Sequence, residues 1–465
     1  MTSPSFYKSD PTGRNFDQDQ LLPAPVETNT NLRWIVLALA GLTMLGNGFC
    51  FDNPQALQNY LVPYLGIKSA QFNMLYTSYH IPNLIMPFFT GAFVDYIGSN
   101  IAIVLLSFVV VIGQSIIAFG VYEASFTIML IGRVVLGISA ESLAITRSTI
   151  IANWFRDKEL GFALGTGLSL LFASNALNSF LSPLIYEATG KLHLPFVLGI
   201  IICGFSFFVS LSIYKLDTRS AGNMDEIPSP EGERKSVETK AKRLILEELK
   251  KFGQEYYVLI ISSFFLYGAL FGLRDDLNDI LVEKFFLTPS EAGFLILFLY
   301  LCPTILTPFM GIMLDRSKRR ILIVLAFTVL FVLETAFLTF ADDSLMISQL
   351  LMLPGLMIIG LFHATFAAMF WSSIPRVLGT KSTGLAYGIA IMLQNMVQSS
   401  VPVMLGYIHD NTLEINHGYF WSLVPLLILG VIGIFILIWL HFIDVYKGGK
   451  LNRANTYQET ELTKL

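Results

Sequence analysis

Tyr79-His-Ile-Pro82-Asn-Leu-Ile-Met-Pro87-Phe88 recurs as Tyr300-Leu-Cys-Pro303-Thr-Ile-Leu-Thr-Pro308-Phe309, with the tyrosine, both prolines and the phenylalanine all displaced by one constant interval. Each copy runs into a glycine followed four residues later by an aspartate, Gly91 to Asp95 and Gly311 to Asp315. Gly161, Ala163 and Gly165 return as Gly384, Ala386 and Gly388, at nearly the same interval. A chain that repeats itself at about half its length is a duplicated half-protein. Both copies lie in apolar surroundings, so the sequence predicts two parallel membrane halves.

Composition agrees. A chain of 465 residues that is 54% hydrophobic and 14% charged, with 38 Phe, carries more apolar surface than a soluble core can hide, and needs lipid as solvent. Cys50, Cys203 and Cys302 fall inside apolar stretches and give no sign of a disulfide framework. Apolar runs long enough to cross a bilayer predict an all-α membrane protein of twelve transmembrane helices in two pseudo-symmetric six-helix halves. The spans fall near residues 32–60, 70–96, 99–122, 124–153, 159–189 and 194–215, then 254–284, 290–316, 318–341, 344–374, 380–411 and 416–446. The organisation is an N-terminal tail (1–31), a first half (32–215), a linker (216–253), a second half (254–446) and a C-terminal tail (447–465). The linker passes from the Gly/Pro/Ser-containing Gly222–Glu231 to the charged Lys240–Lys251, which reads as a short amphipathic helix.

With the N-terminus in the cytosol, 24 of the 30 basic residues fall on the cytosolic side, Arg133 and Arg147 lie within the fourth span, and Lys68, Lys191, Arg274 and Lys284 lie at the opposite face. The positive-inside rule therefore puts both termini and the linker in the cytosol, and the short loop Arg316-Ser-Lys-Arg-Arg320 upholds this when the long linker is discounted. The polar residues 1–31 contain no apolar stretch of the kind a signal peptide needs. They do contain Asp17-Gln-Asp-Gln-Leu21-Leu22, which resembles the acidic dileucine address that clathrin adaptors read to send cargo to endosomes and lysosomes. A polar, extended tail is where an adaptor could reach it.

Gly91-Ala-Phe-Val-Asp95-Tyr-Ile-Gly98, between the second and third spans, resembles the signature loop of the major facilitator superfamily. Its glycines permit close helix packing, and its acid can face a neighbouring helix N-terminus. On that reading Asp95, Asp315 and Arg316 belong to a cytosolic gate; an ordinary loop aspartate is the alternative. The second copy keeps a basic cluster that the first lacks.

A closer resemblance follows from Asn47-Gly-Phe-Cys-Phe-Asp52-Asn53-Pro54-Gln-Ala-Leu-Gln58, from Gly132-Arg133 through Gly137 to Ala140-Glu141-Ser142-Leu143, from Trp154-Phe155 with Lys158-Glu159-Leu160, and from Gly384-Leu-Ala-Tyr387-Gly388 with Gln394-Asn395. Over most of both halves these are similar to the lysosomal dipeptide transporter subfamily of the major facilitators. The resemblance implies an alternating-access carrier in lysosomal or endosomal membranes that exports dipeptides or similar small zwitterions to the cytosol, either as a uniporter or with proton coupling. It also implies a glycosylated accessory membrane protein as partner, which fits the absence of any Asn-x-Ser/Thr sequon. That subfamily is expected to hold the peptide carboxylate with an arginine in the fifth span, where this chain has Phe172. Arg147 on the adjacent helix is the candidate replacement; a substrate without a carboxylate is the other.

The residues themselves direct attention to the same places. Asp52 lies late in an apolar helix, where a carboxylate is costly unless it meets water, a cation or a partner. Pro54 removes the amide that would satisfy the Cys50 carbonyl, so acid and freed carbonyl together suit a substrate amine; an aspartate capping its own helix end is the alternative. Asn53 and Asn395 are the amides expected beside the site. Glu141 and Arg147, roughly 9 Å apart along one helix and on different faces, each need a partner: substrate, or an ion pair with a neighbouring helix. Arg133 reads as a structural arginine. His363, nearly the counterpart of Glu141 at the repeat interval, and His80 are candidates for cavity-lining, proton-linked groups, or else helix-to-helix hydrogen bonders. Arg274, Asp275, Asp276 and Asp279 read as a lumenal gate or a solvated helix end.

No Walker A loop, His-Glu-x-x-His, Cys-x-x-Cys or Gly-x-Ser-x-Gly occurs, so neither an enzyme nor a cofactor, metal or nucleic-acid partner is expected; the partners are membrane lipid and a small molecule. A proton-coupled carrier of another metabolite, a non-transporting receptor or scaffold, and a plasma-membrane location remain as alternatives.

Overall fold

The computed structural model describes residues 32–155, 160–220, 252–341, 346–378, 383–412 and 419–452. Asp17, Leu21, Leu22, Lys158, Glu159 and most of the linker lie outside them. The first span is four short helices, α1 (Leu32–Leu42), α2 (Leu45–Phe51), α3 (Asn53–Ala56) and α4 (Gln58–Leu65). The second comprises α5 (Ser69–His80), a single 3₁₀ turn (Pro82–Leu84) and α6 (Met86–Ile97). The first half continues with α7 (Ser99–Tyr122), α8 (Phe126–Trp154), α9 (Leu160–Thr189) and α10 (His193–Ser220). The second half contains α11 (Gln254–Asp279), extended by a π turn at Ile280–Lys284, then α12 (Pro289–Arg316), α13 (Arg320–Phe340), α14 (Met346–Leu378), α15 (Thr383–Thr412) and α16 (Tyr419–Tyr446). Among the described residues, eleven helical segments are long and apolar enough to cross a membrane. The expected twelfth, 70–96, is the interrupted one.

The repeated motif explains that interruption. Both copies place two prolines five residues apart, and each proline removes an i→i−4 amide donor. In the first, the Asn83 side-chain amide donates to the Tyr79 carbonyl at 3.1 Å, and helix α5 stops at His80. In the second, Thr304 stands where Asn83 stands, and its hydroxyl donates to the Tyr300 carbonyl at 2.7 Å inside an unbroken α12. An asparagine amide competes with the helix ladder, whereas a threonine hydroxyl bonds back within it. The sequence repeat thus becomes a hinge-like break in one half and a rod in the other.

Local signals set the far ends of the helices. Gly66 at φ 63° ends α4, with Gly66 N–H and Ile67 N–H donating back to Pro63 and Val62. Thr288-Pro289-Ser290-Glu291 starts α12 with a reciprocal capping box and a proline in its first turn. Close crossing needs glycine at two related points: a Cβ on Gly137 would overlap the Tyr79 carbonyl, and one on Gly360 would overlap the Leu299 carbonyl.

Each half has its own apolar core. One is built on Phe49, Tyr76, Leu136 and Phe196, the other on Tyr267, Phe331, Phe362 and Phe370; Phe172 and Ala176 of α9 join the second across the boundary. Helix α11 is the most enclosed, with 78% of its apolar stretch buried, and α12 the least, at 28%, which makes α11 a central element and α12 a lipid-facing one. Phe89, Phe108, Phe208, Phe309, Phe435 and Phe442 point outward, the surface expected toward acyl chains. Because the helices alternate in direction, residues 32, 155, 255, 321 and 447 mark one face, called here the terminal face; residues 66, 190, 287 and 412 mark the far face.

Candidate functional site

Asp52 occupies the break between α2 and α3 that Pro54 imposes, at φ −92° and ψ 5°. Its side chain is sealed from solvent; Tyr300, from the repeated motif of the other half, donates its hydroxyl to Oδ2 at 2.6 Å, while Oδ1 has no partner. The freed Cys50 carbonyl does not await an amine. Arg133 NH1 donates to it at 3.3 Å and to the Phe51 carbonyl at 3.0 Å, and Nε donates to the Leu75 carbonyl at 3.0 Å, with Phe51, Tyr76 and Tyr79 around the guanidinium. That corrects the expectation for the carbonyl and makes Arg133 the group that stitches the broken first span to α5 and α8. Cys50 also touches Cys203, Sγ to Sγ 3.3 Å, and Cys302 is buried.

Arg274 faces this break from α11. Its Nε and NH2 donate to Asp275 Oδ1 at 3.1 and 3.0 Å, its guanidinium lies 4.7 Å from the Phe271 ring and 5.2 Å from the Phe51 ring, and Asp275 Oδ2 has no partner. Arg274 and Asp275 are 5% and 0% exposed, so the solvated-helix-end alternative does not hold for them. The available signal is the repeat itself: Arg274 follows Asp52 by nearly the interval that separates the anchor residues, within one residue, so an acid and a base occupy closely corresponding positions in the two halves.

The other predicted residues spread along the same axis. His80 Nδ1 and Asn395 Oδ1 are 2.8 Å apart across the halves, which places His80 as a helix-to-helix bonder, and its Nε2 is buried without a partner. Asn53 turns into the first half, its amide shared among Asn178 Oδ1, Ser182 Oγ and the Pro195 carbonyl. Arg147 is buried on α8, donating to the Gly167 carbonyl at 3.1 Å and to Ser148 Oγ at 3.4 Å, with Nε left over. Glu141, half-buried, makes no hydrogen bond among the described residues. His363 packs its ring on Phe172 at 5.0 Å and on Phe271 at 5.8 Å. Phe172 therefore fills with an aromatic contact the place where an arginine was expected. Asp95 and Asp315 lie on helices α6 and α12 near their terminal-face ends, and Arg316 is exposed beside Asp315.

Toward the far face the halves are clasped by polar bonds that sequence reading did not pair. Asn59 donates to Asp279 Oδ1 at 2.7 Å; Asn73 donates to Asp276 Oδ1 at 3.1 Å and to the Pro402 carbonyl at 2.7 Å; Thr77 donates to the Ser399 carbonyl at 2.5 Å. The Ser69 and Ala70 amides donate to the two Asp410 oxygens at 3.1 and 3.0 Å, capping α5 with an acid of α15. Gln55 donates to the Arg274 carbonyl, and Ser290 to Glu187. All join the first half to the second between Asp52 and the far face, which is the closed side of the structure.

Residues 33–275 and 256–458 match the family model of the Major Facilitator Superfamily. The chain is 27% identical over 443 residues to the lysosomal dipeptide transporter MFSD1 of Danio rerio, covering 92% of this chain and 91% of that protein. It is 25% identical to that of Homo sapiens, covering 92% and 90%. Among solved structures it superposes on a single-site mutant of the nucleoside transporter NupG with a TM-score of 0.66 at 13% identity, over 87% of this chain and 99% of that one. A bacterial homologue of the human lysosomal transporter Spinster, in an inward-facing and unoccupied conformation, gives 0.66 at 14%, over 88% and 96%. Two halves related by a sequence repeat, joined through buried charge and matched along nearly their whole length, place this multi-pass membrane protein in the major facilitator superfamily, as a transporter and not an enzyme.

Proposed function

We propose that this transporter carries dipeptides or similar small zwitterions by alternating access, from the lumen of a lysosome-like organelle to the cytosol. The observation that supports it most is the meeting of Asp52 and Tyr300 with Arg274 and Asp275, acid and base offered from opposite halves, each carboxylate keeping one oxygen unbonded. A zwitterion brings an ammonium and a carboxylate and can meet both signs. An ammonium on Asp52 Oδ1 takes an acceptor that the closed state leaves without a donor, on the same carboxylate whose Oδ2 the Tyr300 hydroxyl ties to the other half; substrate and the bond between the halves thus act on one group, which gives substrate a differential interaction with the closed and open states, as a conformational change requires. Arg147, with Nε unbonded, is the candidate for the carboxylate when the site opens to the terminal face, with Glu141, His363, Asn395 and Asn53 spread along the axis toward Asp52. Asp95, Asp315 and Arg316 then close that face in the other half of the cycle.

Charge distribution supports a cytosolic terminal face, with both termini and the linker on that side. Asp17, Leu21 and Leu22 supply the lysosomal address through a clathrin adaptor, and a glycosylated membrane partner shields the lumenal side. The names of the relatives at 24 to 27% identity support substrate class and compartment together. The test is a thermal-shift screen of the purified carrier against dipeptides, free amino acids, nucleosides and sugars, followed by uptake into proteoliposomes. A ligand that binds only the folded state must raise its apparent stability. Stabilisation by dipeptides that Asp52→Asn abolishes is the expected result; stabilisation by nucleosides or sugars alone would overturn it.

A further inference from the structure

Beside the clasp, Asp279, Glu283 and His409 hold one ligand atom each within 4.8 Å of one another. We propose that these three side chains bind a divalent transition-metal ion of the zinc class, and that the ion locks the far face closed. Asp279 and Glu283 are one turn apart at the junction of α11 and the π turn, and His409 comes from the last turns of α15. The Tyr419 hydroxyl donates to Asp279 and, at 3.3 Å, to Glu283 Oε2, so two carboxylates share one neutral donor. Like charges at that spacing repel. The nearby Lys284 ammonium bonds the Leu338 and Thr339 carbonyls at 2.6 and 2.9 Å, turned toward α13.

The histidine is an independent observation that points to a ligand. His409 is 7% exposed; its Nδ1 lies 3.1 Å from Ser69 Oγ, and its Nε2 is buried with no partner. An imidazole held through one nitrogen with the other bare is the arrangement a metal-ligating histidine adopts. Gln58 Oε1 is a second buried, unpartnered atom, and Gln58, Ser69, Asp276, Asp279, His409 and Tyr419 line one small pocket. One nitrogen and two carboxylate oxygens with a fourth position open to Gln58 or water is a tetrahedral donor set that favours zinc over calcium or magnesium. Binding requires the exposed Glu283 side chain to swing inward by an ångström or two, on the order of the gap between the present spacing and metal–ligand geometry. The site is invisible in sequence because Glu283 and His409 belong to helices far apart along the chain.

The placement gives the ion its role. Asn59 bonds Asp279, Ser69 bonds His409, and the Ser69 and Ala70 amides bond Asp410 next door. A metal joining α11 to α15 orders the residues that hold the first half. The experiment is zinc competition against a chromophoric chelator, using the full-length carrier in lipid nanodiscs, with no substrate present. One zinc per chain is expected, with affinity lowered at least about tenfold in Glu283→Gln and in His409→Gln, and by a similar factor in Ser69→Ala, which frees the imidazole. His193→Gln should bind as the parent does. Glu283→Gln changes an exposed side chain and decides the matter if His409→Gln does not fold. Parental zinc affinity in Glu283→Gln, or calcium binding as tightly as zinc, would overturn the assignment without touching the proposed substrate.

Discussion

Replacing Tyr300 by Phe removes one hydroxyl and leaves the ring packed. That hydroxyl makes a 2.6 Å bond to a sealed carboxylate, and hydrogen bonds to charged groups are worth about 1.5–3 kcal/mol. The loss falls on the far-face-closed state, because in the open state Asp52 can be met by water. At about 1.4 kcal/mol per factor of ten, the ratio of closed to open should drop by roughly 10- to 150-fold. Spin labels on cysteines placed at Tyr64 and Phe286, exposed residues of the two halves at the far face, report the change by double electron–electron resonance. The native cysteines are buried, so labelling should be confined to the new sites. The long-distance fraction should grow in Tyr300→Phe and in Asp52→Asn, and the double variant should add little, since both remove the same contact. A distance distribution identical to the parent in folded Tyr300→Phe would refute the idea that this bond helps hold the halves together.

Changing Leu21 and Leu22 to Ala is expected to move a tagged protein from lysosomes to the plasma membrane; unchanged localisation by microscopy removes the dileucine from the functional account. Asp95→Asn should raise the terminal-face-open fraction while leaving the folded yield intact, and equal thiol accessibility at both mouths in variant and parent would count against a gate there. For Arg147→Gln and Glu141→Gln, proteoliposome uptake should fall at equal folded yield with ligand-induced stabilisation lost; a structural role would instead cost roughly 3–5 kcal/mol of stability and lose the protein itself. Normal dipeptide uptake by Arg147→Gln would show that it does not replace the arginine missing at Phe172.

What the sequence discloses is everything that repeats or has a period. The echo of Tyr79 to Phe88 in the second half, the apolar spans and the caps at Thr288 and Gly66 are local or self-similar, and the structure follows them. The break at Pro82 is not legible, since the same prolines sit inside an intact α12; the difference comes from Asn83 against Thr304, a contest between side chain and backbone for one carbonyl. At the site, Asp52 is conspicuous because an acid in an apolar run is costly. Its partner is not, because Tyr300 stands out in sequence only as an anchor of the repeated motif. Counting along one helix puts Arg274 at a lumenal end, where comparison of the two halves sets it opposite Asp52.

The chemistry of the clasp suits a carrier in a way that an apolar seam would not. To swing a two-state equilibrium from 1:99 to 99:1, a ligand must supply about 5.5 kcal/mol of differential affinity. A closed face built from buried aromatic packing would be harder to reopen, because separating it exposes apolar area at about 25 cal/mol for each Å². The far face here is closed instead by amides, hydroxyls and carboxylates: Asn59 with Asp279, Asn73 with Asp276, Ser69 and Ala70 with Asp410, Tyr300 with Asp52. Each such bond can be exchanged for one to water when the face opens, so even with a charged acceptor its net worth is only about 1.5–3 kcal/mol although its geometry is good. Several together hold the closed state firmly yet within reach of a substrate. The unbonded oxygens of Asp52 and Asp275 are where that substrate has the most to gain, because they are buried carboxylate acceptors that the closed protein leaves without a donor, at the break where the two halves meet.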